Sequence, residues 1–121
     1  MMKRREIGAL GEQLACDFLG NNGYRIIQRN YRCPGGEADI IAMQSETLVF
    51  VEVRTKASRR FGTPEESITT AKMEKLRNVA AYYWQSLEKP PENWRIDVVA
   101  IQLDGQRVSR IELIENAVCD E

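Results

Sequence analysis

There is no histidine anywhere in this 121-residue chain. That absence removes imidazole acid–base chemistry and the usual nitrogen ligand of zinc. Cysteine is sparse as well: Cys16, Cys33 and Cys119 are odd in number, widely spaced and without a CxxC pair. Three reduced thiols are therefore expected, not a disulfide framework or a zinc knot. No apolar run approaches the roughly 18 residues that a membrane-spanning helix needs. The basic start, Met1-Met2-Lys3-Arg4-Arg5-Glu6, is not followed by the apolar stretch of a signal peptide. A cytoplasmic protein with no membrane partner is expected. Net charge is also scarce, at −1 with a pI of about 5.6, which argues against a strong, sequence-independent nucleic-acid binder. Repeats, low-complexity stretches and linkers are lacking, and the length suits one domain, 1–121, with one core.

What is present is more informative. Gly36-Glu37-Ala38-Asp39-Ile40-Ile41 and Phe50-Val51-Glu52-Val53-Arg54-Thr55-Lys56 read as two apolar strands with acids set into them. A charge in an apolar strand is costly unless it is paired or holds a metal. Side chains alternate along a strand, so Glu37, Asp39 and Ile41 share a face, as do Phe50, Glu52, Arg54 and Lys56. If Ser45-Glu46 is a two-residue loop, Gln44 pairs with Thr47. Asp39 then falls opposite Glu52, and Glu37 opposite Arg54. A three-residue loop would instead place the two acids on opposite faces. Directly opposed residues have Cβ atoms roughly 4.5–5.5 Å apart. Like charges that close repel unless one carboxyl takes up a proton or a cation sits between them. A hard divalent ion such as Mg²⁺ or Mn²⁺ suits carboxylate oxygens. Two carboxylates and a backbone carbonyl leave positions for water and a phosphate oxygen, so the ion could activate water and neutralise transition-state charge.

Around these strands the predicted order is αβββαββ, a mixed α/β sheet flanked by helices. The first helix runs from about Arg4 to Asn21, with Ile7, Leu10, Leu14 and Phe18 as its apolar stripe and Gly8, Gly11 and Ala15 beside it. Glu12 sits at the stripe's edge and can complete a metal shell or remain an ordinary helix glutamate. Strands follow at Tyr24–Tyr31 and in the two acidic segments. A polar loop covers 57–68, and a second helix runs from about Thr70 to Leu87 with Leu76, Val79, Ala80, Tyr83 and Leu87 inward. Trp94–Ile101 and Arg107–Ile114 complete the strands, split by a turn at Asp104-Gly105.

Other features have competing readings. From Arg54 to Arg77, seven basic residues face three acidic ones, a net of +4. Such a run is either a solvated face or a phosphate-contacting surface. Glu37 either extends the acidic cluster or pairs with Arg54, and the pair is favoured. Asp97, in Arg95-Ile96-Asp97-Val98-Val99, reads as a structural partner of Arg95 or of a neighbouring cation. Tyr82, Tyr83 and Trp84 can stack bases, but aromatics at helical spacing belong more often to a core.

A first-helix glutamate, then G-E-x-D-I-I, then a strand ending in E-V-[KR]-T-[KR] resembles the PD-(D/E)xK nuclease superfamily. Within it the chain resembles the YraN family of uncharacterised, endonuclease-like proteins, from Gly8 to Ile114-Glu115-Asn116-Ala117, and more distantly the archaeal Holliday-junction resolvases. The resemblance implies a restriction-endonuclease-like fold and a Mg²⁺- or Mn²⁺-dependent phosphodiesterase site. By position it implies Glu12, Asp39 and Glu52 as metal-binding acids, with the Val53 carbonyl as a further ligand and Lys72 as a helix lysine near the site. The chain departs from the pattern at Arg54, where the superfamily has lysine. Arginine cannot shed its proton as a general base, though it can hold a phosphate. Lys56 lies on the same face roughly 7 Å further along the strand, and it or Lys72 is the alternative.

The leading expectation is a metal-dependent nuclease acting on DNA rather than RNA, on branched or structured substrates. Asp39, Glu52, Arg54 and Lys56 would carry catalysis, and Arg54, Lys56, Arg59, Arg60, Lys72 and Lys75 would contact the nucleic acid. A resolvase-like role would call for a symmetric homodimer. The alternatives are a nucleic-acid-binding module that cuts slowly or not at all, and a protein-interaction subunit.

Overall fold

The computed structural model describes residues 2–58 and 62–117. Arg59, Arg60, Phe61 and Cys119, singled out above, lie outside them. The elements are α1 (Arg4–Asn21), β1 (Tyr24–Cys33), β2 (Gly36–Gln44), β3 (Thr47–Lys56), α2 (Thr70–Ser86), β4 (Asn93–Asp104) and β5 (Arg107–Ile114), with a short 3₁₀ turn at Glu65–Ser67. Their order is the one predicted. One five-stranded sheet runs β1-β2-β3-β4-β5. Neighbours are antiparallel except β3 and β4, which are parallel. A parallel pair needs a crossover, and α2 supplies it. No described helix is long and apolar enough to cross a membrane.

The two helices cover opposite faces. On one, Ala15 and Leu19 of α1 pack with Ile40, Val49, Val51, Val99 and Ile101. On the other, Leu76, Val79 and Ala80 of α2 pack with Ile41, Leu48, Phe50 and Ile96. Alternation along β3 explains the division, since odd and even residues point to different faces. Edge-to-face contacts of Tyr83 with Tyr31 and Phe50, at 5.0 and 5.7 Å, make Tyr83 part of the core. Tyr82 is half exposed.

The buried face of α1 differs from the predicted stripe. Gly11, Ala15 and Leu19 are fully covered, while Ile7, Leu10, Leu14 and Phe18 are only partly buried. The smallest side chains sit where the helix approaches the sheet most closely, and larger ones pack alongside. At Gly11 a Cβ would lie 1.8 Å from Thr55 Oγ1 and 2.8 Å from Thr55 Cβ. Gly8, one turn earlier, is exposed, and a Cβ there would meet nothing within 4 Å. An exposed helix glycine with no packing reason costs about 0.5–1 kcal/mol relative to alanine. Gly8→Ala should therefore raise stability by that amount in urea denaturation, and a loss would show that Gly8 has a packing role.

Asp97 is fully buried and structural, as expected. It accepts from Arg95 Nε at 2.9 Å, Tyr24 Oη at 2.8 Å and the Asn116 backbone N–H at 2.8 Å. Arg95 Nη2 also reaches Gln44. This network ties the start of β1, the end of β2 and the turn after β5 to β4.

Candidate active site

Gln44 pairs with Thr47 around Ser45-Glu46, as the turn arithmetic predicts, with Ser45 at φ 51. The β2/β3 ladder then continues only as far as Ile40↔Val51. The next pair in register is Asp39 with Glu52, and there the strands part. In place of a ladder bond, the Val53 N–H donates to the Asp39 carboxylate at 2.8 Å. Strict alternation along β2 also gives out at this point: Ile40 and Ala42 belong to the α1-side core, while Ala38 and Ile41 belong to the α2-side core.

The parting opens a cleft with a mouth on each face of the sheet. The α1-side mouth, about 740 Å³, is lined by Arg4, Arg5 and Glu12 with Asp39, Arg54 and Lys56. The α2-side mouth, about 390 Å³, is lined by Asp39, Glu52 and Arg54 with Lys72 and Lys75. Asp39, Val53, Arg54 and Glu37 belong to both.

The Asp39 carboxyl is pushed up to about 7. Burial is the largest cause, and the neighbouring Glu52 charge is the next; the Val53 hydrogen bond works against both. A side-chain hydrogen bond to Glu52 acts in the same direction as burial, favouring the protonated form of Asp39. Glu52 also pairs with Arg54 Nη2 at 2.5 Å, within the same strand. Arg54 Nε is buried without a partner. The predicted Glu37–Arg54 pair does not form. Because the strands separate before reaching them, Glu37 turns to Arg32 on β1 at 3.3 Å, and Arg54 turns to Glu52.

Glu12 reaches the same cleft but is engaged from β1. It accepts from Arg29 Nε at 3.2 Å and Asn30 Nδ2 at 2.9 Å. Asn30 sits in the left-handed region at φ 53, which asparagine tolerates better than most residues. It faces Asp39 across the β1/β2 register. Among the described residues no three His, Cys, Asp or Glu side chains gather into one metal-binding group. The acids that act on one another are thus the pair Asp39–Glu52, with Glu12 nearby. Asp39's proximity to Glu52 still makes a hard, oxygen-coordinated cation a fitting occupant, since it would relieve the repulsion that now holds a proton there.

Of the expected phosphate-contacting residues, Lys72 and Lys75 rim the α2 side, one helical turn apart. Lys56 rims the α1 side and donates to the Gly62 carbonyl at 2.8 Å. The end of β3 is further held by Gln102 Nε2, which donates to the Lys56 and Ser58 carbonyls at 3.1 and 3.3 Å. Sequence reasoning missed Arg4, Arg5, Asn30 and Arg32 as cleft residues. The spacing of Arg5, Gly8, Ala9 and Glu12, one stripe of α1, was the available signal for the first two. Nothing in the sequence announced that Asn30 would bond to Glu12.

The pattern of the uncharacterised protein family UPF0102 matches residues 11–101. The chain belongs to the UPF0102 (YraN) family. It is 50% identical over 117 residues to a UPF0102 protein of Moorella thermoacetica, covering 96% of this chain and 98% of that one. It is 44% identical over 117 residues to a UPF0102 protein of Caldicellulosiruptor saccharolyticus, with 96% and 99% covered. A UPF0102 protein of Symbiobacterium thermophilum is 45% identical over 113 residues, with 93% and 96% covered. These names state the family and no activity. Glu12, Asp39, Glu52 and Arg54 all fall within the matched span.

Proposed function

We propose that this UPF0102 protein is a metal-dependent nuclease that hydrolyses phosphodiester bonds in DNA, with branched or otherwise structured DNA as its substrate. The observation that carries the reading is the pair of neighbouring carboxylates, Asp39 and Glu52, in a cleft whose rims carry Arg4, Arg5, Lys56, Lys72 and Lys75. Asp39 and Glu52 would hold Mg²⁺ or Mn²⁺. A strand residue's N–H and C=O project toward the same edge, so the Val53 carbonyl faces the gap into which its N–H donates, and it would be a third ligand. Glu12 would approach through water or by leaving Asn30. A divalent ion bound there supplies Lewis acidity for activating water and neutralising charge on the phosphate. Arg54, already in the cleft, would hold the scissile phosphate, and Lys56, Lys72 and Lys75 would hold its neighbours.

Cleavage of a labelled DNA panel (single strand, duplex, flap and four-way junction) with Mg²⁺, Mn²⁺ or EDTA tests this. Metal-dependent cutting of at least one substrate is expected. Failure of well-folded protein to cut any of them in either metal would remove the activity.

One observation favours a second reading, a binding module with weak catalysis. Arg54 stands in the lysine position and is committed to Glu52. An arginine there stabilises charge but cannot act as a base. If this limits turnover, Arg54→Lys should raise the single-turnover cleavage rate about 10²-fold or more, the typical contribution of a positioned general base. An unchanged or lower rate would assign Arg54 itself to phosphate binding.

A further inference from the structure

The parted strands leave the cleft open on both faces of the sheet, and each mouth carries cations at the start of a helix. Arg4 and Arg5 lie in the first turn of α1, and Lys72 and Lys75 in the first two turns of α2. All four are exposed, and none has a side-chain partner among the described residues. Other arginines near the site are committed: Arg29 to Glu12, Arg32 to Glu37 and Arg54 to Glu52.

Two further facts set the α1 rim apart from an ordinary solvated face. Cations in a helix's first turn oppose its dipole, which favours anions at that end. Arg4 and Arg5 accept this conflict with only Glu6 as an acid in the turn. An anion docked between them would reverse its sign. In addition, Arg5 and Glu12 bracket Gly8 and Ala9 on one stripe lining the cleft, and Gly8 is exposed with open space where a side chain would be. The stripe is therefore low and flat between a cation and the acid cleft, as the close approach of a second backbone requires.

We propose that a nucleic-acid backbone crosses the end of the sheet at the cleft, its phosphates held by Arg4 and Arg5 on the α1 face and by Lys72 and Lys75 on the α2 face. This rests on the reading of the cleft as a phosphodiester site and extends it to the strand's path. The phosphate over Asp39 and Glu52 would lie between the two rims. The contacts are charge to phosphate, so the rims fix the strand's position without reading bases.

Salt dependence counts such contacts. Each phosphate contact contributes about 0.7 to the slope of log K against log salt for a single strand and about 0.9 for a duplex. Binding of labelled single-stranded and duplex oligonucleotides should be titrated against salt in EDTA, so that nothing is cut. Arg4→Ala/Arg5→Ala should lower the slope by about 1.4 on a single strand, and Lys72→Ala/Lys75→Ala by about the same amount. The control pair Arg25→Ala/Lys89→Ala, exposed but away from both mouths, should leave it unchanged. A wild-type slope in the α1 variant, or an equal fall in the control, overturns the path. So does a lack of salt-dependent binding by the folded wild type. The outcomes separate from those for hydrolysis. A protein that loses slope at both rims but never cuts keeps the path and loses the nuclease. One that cuts with an unchanged slope in the α1 variant does the reverse.

Discussion

Asp39→Asn should lower metal-dependent cleavage by ~10³-fold or more, while making the metal-free protein more stable at alkaline pH. The loss follows from the loss of a charged ligand in a site whose chemistry is electrostatic. The gain follows from the Asp39 carboxyl, pushed up to about 7 from the ordinary 3.8 by burial and by Glu52. Below about pH 4 the group is protonated in both folded and unfolded chains and has no effect. Between about pH 4 and pH 7 the unfolded chain sheds its proton while the folded chain keeps it, so stability falls as pH rises. Above that window the folded state bears the whole penalty, on the order of 4 kcal/mol. Asparagine can accept from Val53 N–H and donate to Glu52 without ionising. The variant should thus unfold at the same urea concentration as wild type near pH 4 and at a higher one at pH 8 in EDTA. Equal midpoints at both pH values would show that Asp39 is not held protonated.

Gly11→Ala should destabilise the protein by about 2 kcal/mol, despite alanine's better helix propensity, and lower its Tm by several degrees. The new Cβ would meet Thr55 Oγ1 at 1.8 Å, Thr55 Cβ at 2.8 Å and Thr55 Cγ2 at 3.0 Å. Rotating the threonine side chain relieves the first contact but not the second, because Cβ is fixed to the β3 backbone. Either α1 lifts from the sheet or β3 shifts beside Val53. In both cases the cleft between Glu12 and Asp39 changes shape, so cleavage should fall with stability. The contrast with Gly8→Ala, three residues away and stabilising, distinguishes contact with Thr55 from a general property of the helix. Unchanged stability in Gly11→Ala would mean that the helix sits further from the sheet.

Much of the architecture follows from local patterns. The bounds of α1, the inward face of α2 and the β2/β3 register all rest on periodicity and one turn, and the structure repeats them. Asp97 as a partner of Arg95 was also legible, because a charge in an apolar strand needs an ion partner nearby. Two features were not. The buried face of α1 depends on how closely a helix can approach a sheet, which hydrophobicity does not encode; Gly11 and Ala15 face inward because they are small. The end of the β2/β3 ladder at Ile40↔Val51, where the Val53 N–H turns to the Asp39 side chain, is a tertiary feature that no local pattern encodes. It broke the expected Glu37–Arg54 pair, sent Arg54 to Glu52, and opened a second mouth that brought Arg4 and Arg5 to the site. Carboxylate proximity could be counted along the strands, but the cleft around it could not.

The most direct test of the account is calorimetric titration of Mn²⁺ into wild-type protein and Asp39→Asn, carried out at pH 6.5 in two buffers of different ionisation enthalpy. Wild type should bind the ion with release of a proton, as the ion displaces the one held on Asp39. The variant should not bind at the same concentrations. Equal binding by both proteins, or binding by wild type with no proton released, would contradict the assignment of this cleft as the metal site.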